Sequence, residues 1–151
     1  MLANALYWLT LGGIMLWVFV MAIDREPPVV FVKREVVNEG KQVAQGEQIR
    51  VQSTRVRRRQ CELTRRWAVI DGVGRRIDYE PEHFDAYGEI GDEPDTDITG
   101  PVVTLDAAPG RGRLITSFGW DCNILQRALN WSIDAVPKAV EFEILPRKVQ
   151  P

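Results

Sequence analysis

The hydrophobic pattern breaks first at Asp24: from Met1 to Ile23 no side chain is charged, and Leu2, Leu6, Leu9, Leu11, Ile14, Leu16, Val18, Phe19 and Val20 dominate the run. A helix crossing the hydrocarbon core of a bilayer needs roughly 20 mostly apolar residues. Residues 1–23 are therefore expected to form a single membrane-spanning anchor in contact with lipid. Tyr7, Trp8 and Trp17 supply the amphipathic rings favoured near the interfaces. A core helix of a soluble domain would carry a polar face, and here only Asn4 and Thr10 are polar. A cleaved signal peptide would begin with basic residues. Val20 and Ala22 imitate a cleavage site, but the first basic residue is Arg25, so an uncleaved anchor is favoured. Burial in a large assembly is the competing environment, because it is equally apolar. Pro27 and Pro28 end the helix by removing amide donors, and residues 24–28 read as a short stiff linker.

Beyond the linker the pattern is that of strands. Val29–Val37 is rich in β-branched residues and closes at Asn38-Glu39-Gly40. Ile49 and Val51 alternate with polar neighbours after Gly46. A long strand is expected from Arg55 to Ile70, with Cys61, Leu63, Trp67 and Val69 in phase. Asp71-Gly72-Val73-Gly74 then turns the chain back through Ile77 and Tyr79. Residues 80–100 read as loop, followed by strands at Val102–Leu105, Arg111–Cys122 and Ala139–Leu145. Between the last two, Asn123–Trp131 has the spacing of a short helix. About seven short strands with turn signals between them predict a mainly β domain, residues 29–146, built as an antiparallel β-sandwich of immunoglobulin-like architecture. A small barrel is the runner-up, and residues 147–151 form a tail.

Composition sharpens this only at the cysteines. The chain has 151 residues, 45% hydrophobic and 26% charged, which suits one packed domain plus an attachment. Its two cysteines, Cys61 and Cys122, are too few for a multi-thiolate zinc site. Each lies on the apolar face of its strand, so a disulfide across the sandwich core is expected, between sheets. Such a bond implies an oxidising compartment, the periplasm in a bacterium. Lys33, Arg34 and the arginines that follow pull the other way, since basic flanks favour the cytoplasmic side. The extracytoplasmic placement is retained on the strength of the cysteines.

Charge is segregated along the chain. Arg55, Arg57, Arg58, Arg59, Arg65, Arg66, Arg75 and Arg76 are expected in one hairpin. From Ile77 to Gly110 there is no lysine or arginine, while Asp78, Glu80, Glu82, Asp85, Glu89, Asp92, Glu93, Asp95, Asp97 and Asp106 accumulate. The favoured reading folds the acidic stretch back over the arginines, whose planar forks bind carboxylates. The functional reading makes these arginines an anion-binding surface for phosphates of lipid headgroups or lipopolysaccharide. Nucleic acid is not expected, because Trp67 points to the core and stacking aromatics do not interleave with the arginines. Asp95, Asp97, Thr99, Gly100 and Asp106 mimic calcium-loop spacing. The absence of flanking helices, Pro101 after the glycine and a terminal Asp argue against it, so no metal or cofactor is expected.

Nothing in the chain assembles a catalytic constellation. Gly110-Arg111-Gly112-Arg113 leads into a strand rather than a helix, His83 is the single histidine, and Glu80, Glu82 and Asp85 show no sign of burial. The expectation is a protein without enzymatic activity. Tyr79, Tyr87 and Trp131 are the aromatics available for a carbohydrate surface.

The exit Asp24-Arg25-Glu26-Pro27-Pro28, the arginine-rich strand ending at Cys61, and Cys122-Asn123-Ile124-Leu125-Gln126-Arg127 together resemble small proteins of tailed bacteriophages and prophages. Those have an N-terminal hydrophobic helix and one β-rich domain with two cysteines. The resemblance implies a membrane or virion context and no activity. The expected function is that of a membrane-anchored interaction protein presenting its domain to a protein partner at the cell envelope. The alternative is a structural virion component whose helix docks into a tail, portal or ejection assembly.

Overall fold

The computed structural model describes residues 2–85 and 90–147; Tyr87, Gly88, Glu89 and tail residues 148–151 lie outside the described residues. Helix α1 spans Leu2–Ile23. The strands are β1 (Val29–Val36), β2 (Gln42–Ala44), β3 (Val51–Arg57), β4 (Glu62–Ile70), β5 (Arg76–Asp78), β6 (Glu82–Phe84), β7 (Gly91–Thr99), β8 (Gly110–Asp121), β9 (Ile133–Ala135) and β10 (Val140–Leu145), with helix α2 at Ile124–Leu129 between β8 and β9.

The strands form two open sheets, so the protein is mainly β and is not a closed barrel. The first sheet has the order β1-β3-β7 and is antiparallel. The second has the order β2-β10-β8-β4-β5, with β6 on β4 and β9 on β8; its β2–β10 pair is parallel and its other pairs are antiparallel. Buried residues of both sheets meet: Val36 and Val51 from the first join Trp67, Val69, Leu114, Phe142 and Ile144 from the second. A second apolar cluster gathers Val29, Cys61, Leu63, Phe118, Trp120 and Ile133 toward the helix end of the domain.

Three expectations are corrected. The single strand expected from Arg55 to Ile70 is broken after Arg57, and its halves lie in different sheets. The break has a physical cause: Arg58 and Arg59 turn toward Glu26 and Asp24 at the helix exit, and the Arg58 amide is held by the Pro28 carbonyl. The stretch expected as loop contains β6 and the nine-residue β7, an acidic strand ordered by pairing with β3. Residues 102–105 form no ladder strand; Val102 makes an isolated bridge to Gln48, and the Val103 amide and carbonyl bond Glu47 and Gly46.

The helix α1 emerges along a path that is tied down. Its exposed residues make no contribution to the domain core: the span Asn4–Ile23 has mean hydropathy 2.0 and none of it is buried. One helix near the N-terminus is thus long and apolar enough to cross a membrane. Immediately beyond it, Gln126 Nε2 donates to the Asp24 carbonyl (2.8 Å) and Asn123 Nδ2 to the Met21 carbonyl (3.2 Å). Residues 24–28 are therefore a strap clamped to the domain.

Candidate anion-binding cleft

Between the two apolar clusters the interior is polar. The alternation of β3 places Val51, Ser53, Arg55 and Arg57 inward, and that of β4 does the same for Leu63, Arg65, Trp67 and Val69. On β1 the register shifts between Phe31 and Lys33. One extra residue reverses which side chains face inward, and the shift brings Arg34 toward the interior in phase with Val36. Arg34, Ser53, Arg55, Arg65 and Thr116 form a belt separating the clusters.

Each arginine of the belt is supported. Arg55 lies 3.5 Å from both Asp95 and Asp97 of β7, and Asp95 is its direct partner in the ladder. Arg65 Nε donates to Glu82 of β6 at 2.7 Å, and the Trp67 indole donates to the same oxygen at 2.9 Å. Arg65 also lies against the Trp67 and Phe84 rings. Arg34 differs, because its partners are neutral: Nη2 donates to Thr116 Oγ1 (2.7 Å) and Nε to Ser53 Oγ (3.4 Å). Its Nη1 is buried without a hydrogen-bond partner among the described residues. Burial first, and the like charge of Arg65 second, lower its pKa to about 10, so Arg34 is charged at neutral pH.

Arg34 lines a cleft of about 550 Å³ at the outer edge of β1. Phe31, Val32 and Lys33 form one wall with it, and residues 135–140, including Val136 and Lys138, form the other. No carboxylate is among the lining residues. Lys33 is held by Glu35 at 2.7 Å. The cleft thus combines cationic groups with apolar walls, a setting suited to a carboxylate or phosphate attached to an apolar body.

The arginines singled out in the sequence do not form one surface. Arg55, Arg57 and Arg65 are buried, each about 6% exposed. Arg58 and Arg59 pair with Glu26 and Asp24 beside α1. Arg66 is exposed on the outer face of the second sheet, Arg75 pairs with Asp71 and Asp106 at the β4–β5 turn, and Arg76 pairs with Asp78. The hairpin expected to hold all of them is replaced by a distribution over two sheets and two turns. The sequence shows Arg34 only as part of a basic flank and does not single out Lys138, because neither belongs to the arginine cluster and the bulge that turns Arg34 inward leaves no mark in the β-branched run.

The cysteines stand at disulfide distance, with Sγ–Sγ 2.09 Å. They flank the paired residues Glu62 and Asp121 at one end of the β4–β8 ladder, with Cα atoms 4.4 Å apart. The bond therefore joins neighbouring strands of one sheet, and the inter-sheet geometry expected from the sequence is corrected. The cause is the break after Arg57, which moves Cys61 into the second sheet with Cys122. Of the calcium-like set, Asp95 and Asp97 engage Arg55, and Asp106 engages Arg75. Tyr79 donates its hydroxyl to the Val102 carbonyl at 2.8 Å, whereas Trp131 is 47% exposed beneath Arg25.

No family model and no curated protein matches the chain. Among solved structures it is similar to a Pseudomonas fluorescens alkylpurine DNA glycosylase, AlkC, bound to DNA containing an abasic site analogue, at 13% identity and a TM-score of 0.44. The match covers 84% of this chain and 33% of the glycosylase, so the chain spans about a third of that protein. That neighbour is an enzyme and holds DNA. The expectations of no enzymatic activity and of no nucleic-acid partner are overturned as exclusions by it. A likeness at this level carries no activity or ligand to this chain.

Proposed function

We propose that this chain is a membrane-anchored binding domain, held at the cell envelope by α1 and presenting the cleft beside β1 to an anionic group of a protein partner. The observation that carries this reading is α1 itself. A fully exposed apolar helix of this length is not tolerated in water, and its span of about 30 Å at 1.5 Å per residue matches a hydrocarbon core. The Cys61–Cys122 pair supports an extracytoplasmic side. The facing sheets are read as a sandwich of immunoglobulin-like kind, and the resemblance to small tailed-phage proteins supplies a phage or prophage context.

Flotation of the full chain with phospholipid vesicles after an alkaline carbonate wash tests the anchor. The wild type should float, and Leu11→Arg with Leu16→Arg should remain at the bottom of the gradient. A wild-type chain that stays soluble in the absence of vesicles and detergent, yet is found in purified phage particles, would replace this reading with the docking of α1 into a virion assembly. For the cleft, inorganic phosphate titrated onto the detergent-solubilised chain should perturb the Arg34 and Lys138 side-chain NMR signals. Unmoved signals would remove the cleft from the account.

A further inference from the structure

We propose that α2 and the residues after it, Ile124–Trp131, form a second membrane contact, a foot lying in the headgroup region beside the exit of α1. This inference rests on the reading of α1 as a bilayer-spanning helix and adds where the domain sits relative to the lipid. A spanning helix ending at Ile23 puts its last turn at the boundary between hydrocarbon and headgroups. The Asn123 side chain reaches the Met21 carbonyl and the Gln126 side chain reaches the Asp24 carbonyl, at 3.2 and 2.8 Å. Two direct hydrogen bonds hold α2 within one side-chain length of that boundary.

The connection has no slack. Gln126 is 2% exposed, and its Oε1 accepts the Cys122 amide at 2.7 Å. Asn123 also caps α2, accepting the Gln126 amide at 3.0 Å. On the other side, Arg25 Nη1 donates to the carbonyls of Trp131 and Ser132, each at 3.2 Å, and its guanidinium lies 4.0 Å over the Trp131 ring. This frame turns Ile124 and Leu129 outward, each 60% exposed, with Trp131 at 47%, beside the exposed polar side chains of Arg127 and Asn130. An exposed Trp at a helix exit is favoured at a membrane interface, where its ring is partly desolvated and its N–H finds water or headgroup oxygens.

Charge identifies the lipid chemistry. Three basic residues around the foot have carboxylate partners, Arg58 with Glu26, Arg59 with Asp24 and Arg127 with Glu62 at 2.5 Å, and Arg25 is the one held by carbonyls and the Trp131 ring. Contact through Ile124, Leu129 and Trp131 therefore needs apolar insertion and no excess of anionic lipid. A zwitterionic bilayer suffices.

The test uses the full chain with Trp8→Phe and Trp17→Phe, which removes the indoles of α1 and leaves Trp67, Trp120 and Trp131. Trp67 and Trp120 are buried in the β domain. The protein is inserted into phosphatidylcholine vesicles carrying bromine near the headgroup end of the acyl chains. Emission should fall relative to unbrominated vesicles by the share that a further Trp131→Phe substitution removes. That quenching should be lost in Ile124→Glu with Leu129→Glu, with near-ultraviolet circular dichroism unchanged. Equal emission in both vesicle types, from protein that co-floats with them, overturns the foot and leaves the anchor standing. Protein that fails to co-float overturns the anchor and the foot together.

Discussion

Asp71 shows how one side chain closes two loops. Its carboxylate is buried at the β4–β5 turn and accepts the amides of Ala108 (3.0 Å), Arg75 (2.9 Å) and Val73 (3.1 Å), with the Arg75 guanidinium at 3.3 Å. These bonds, the Ala108 amide foremost, hold its pKa below the usual carboxylate value of 3.8. The unfolded chain then binds the proton more readily than the folded one, so stability from this group is complete above the unfolded value and is lost as pH falls through the folded value. Asp71→Asn should lower the urea midpoint at neutral pH and flatten its decline below about pH 5, as equilibrium denaturation would show. An unchanged acid profile would deny Asp71 this role. Gly100 makes a purely steric case, since a Cβ there would stand 2.1 Å from the Ile49 carbonyl oxygen. Gly100→Ala should cost about 1–3 kcal/mol by forcing the backbone apart, measurable in the same titration. At this scale the sequence was partly readable. The turn at Asp71-Gly72-Val73-Gly74 was visible in its chemistry, but the reach of Asp71 to Ala108 depends on a contact 37 residues away.

At the scale of elements, alternation identified strands that bury one face and missed β6 and β7, which do not. Leu114, Thr116, Phe118 and Trp120 announce β8 by their spacing, and all are buried. β7 reads Gly-Asp-Glu-Pro-Asp-Thr-Asp-Ile-Thr, a composition poor in strand formers. It is a strand because β3 offers it a ladder and Arg55 offers its aspartates a cation. The folding of acidic residues onto arginines was legible; their arrangement as an edge strand was not, because the partner's charge does not appear in local propensity. Asp95→Asn with Asp97→Asn should therefore destabilise the domain by about 1–3 kcal/mol, as removing a partner of a buried donor does. Hydrogen exchange should show the loss concentrated in the β7 amides, and uniform protection across β7 would contradict the assignment. The bulge in β1 is the parallel case for the cleft: a one-residue register shift sets the direction of Arg34, and it follows from how β1 meets β3.

Across the whole molecule, the apolar N-terminal helix and the β-rich remainder were evident from pattern alone, because both rest on long runs. How they join was not. The clamp of Asn123 and Gln126 on Met21 and Asp24 links positions 102 residues apart. The Cys61–Cys122 bond lies at that same end and closes the β4–β8 ladder beside α2. The account is thus of a unit in which the anchor exit, α2 and the disulfide share one end, and the cleft lies at the outer edge of β1, with Phe31 and Ala135 packed against the apolar cluster of that end. Its central claim is an anchored domain in an oxidising compartment. The most direct test is to isolate membranes from cells making the full chain, denature the protein with and without prior reduction, and titrate its thiols with a mass-shifting maleimide. The account predicts membrane-bound protein that takes up two labels after reduction and none before. Protein that takes up both labels without reduction would contradict the oxidised, extracytoplasmic domain.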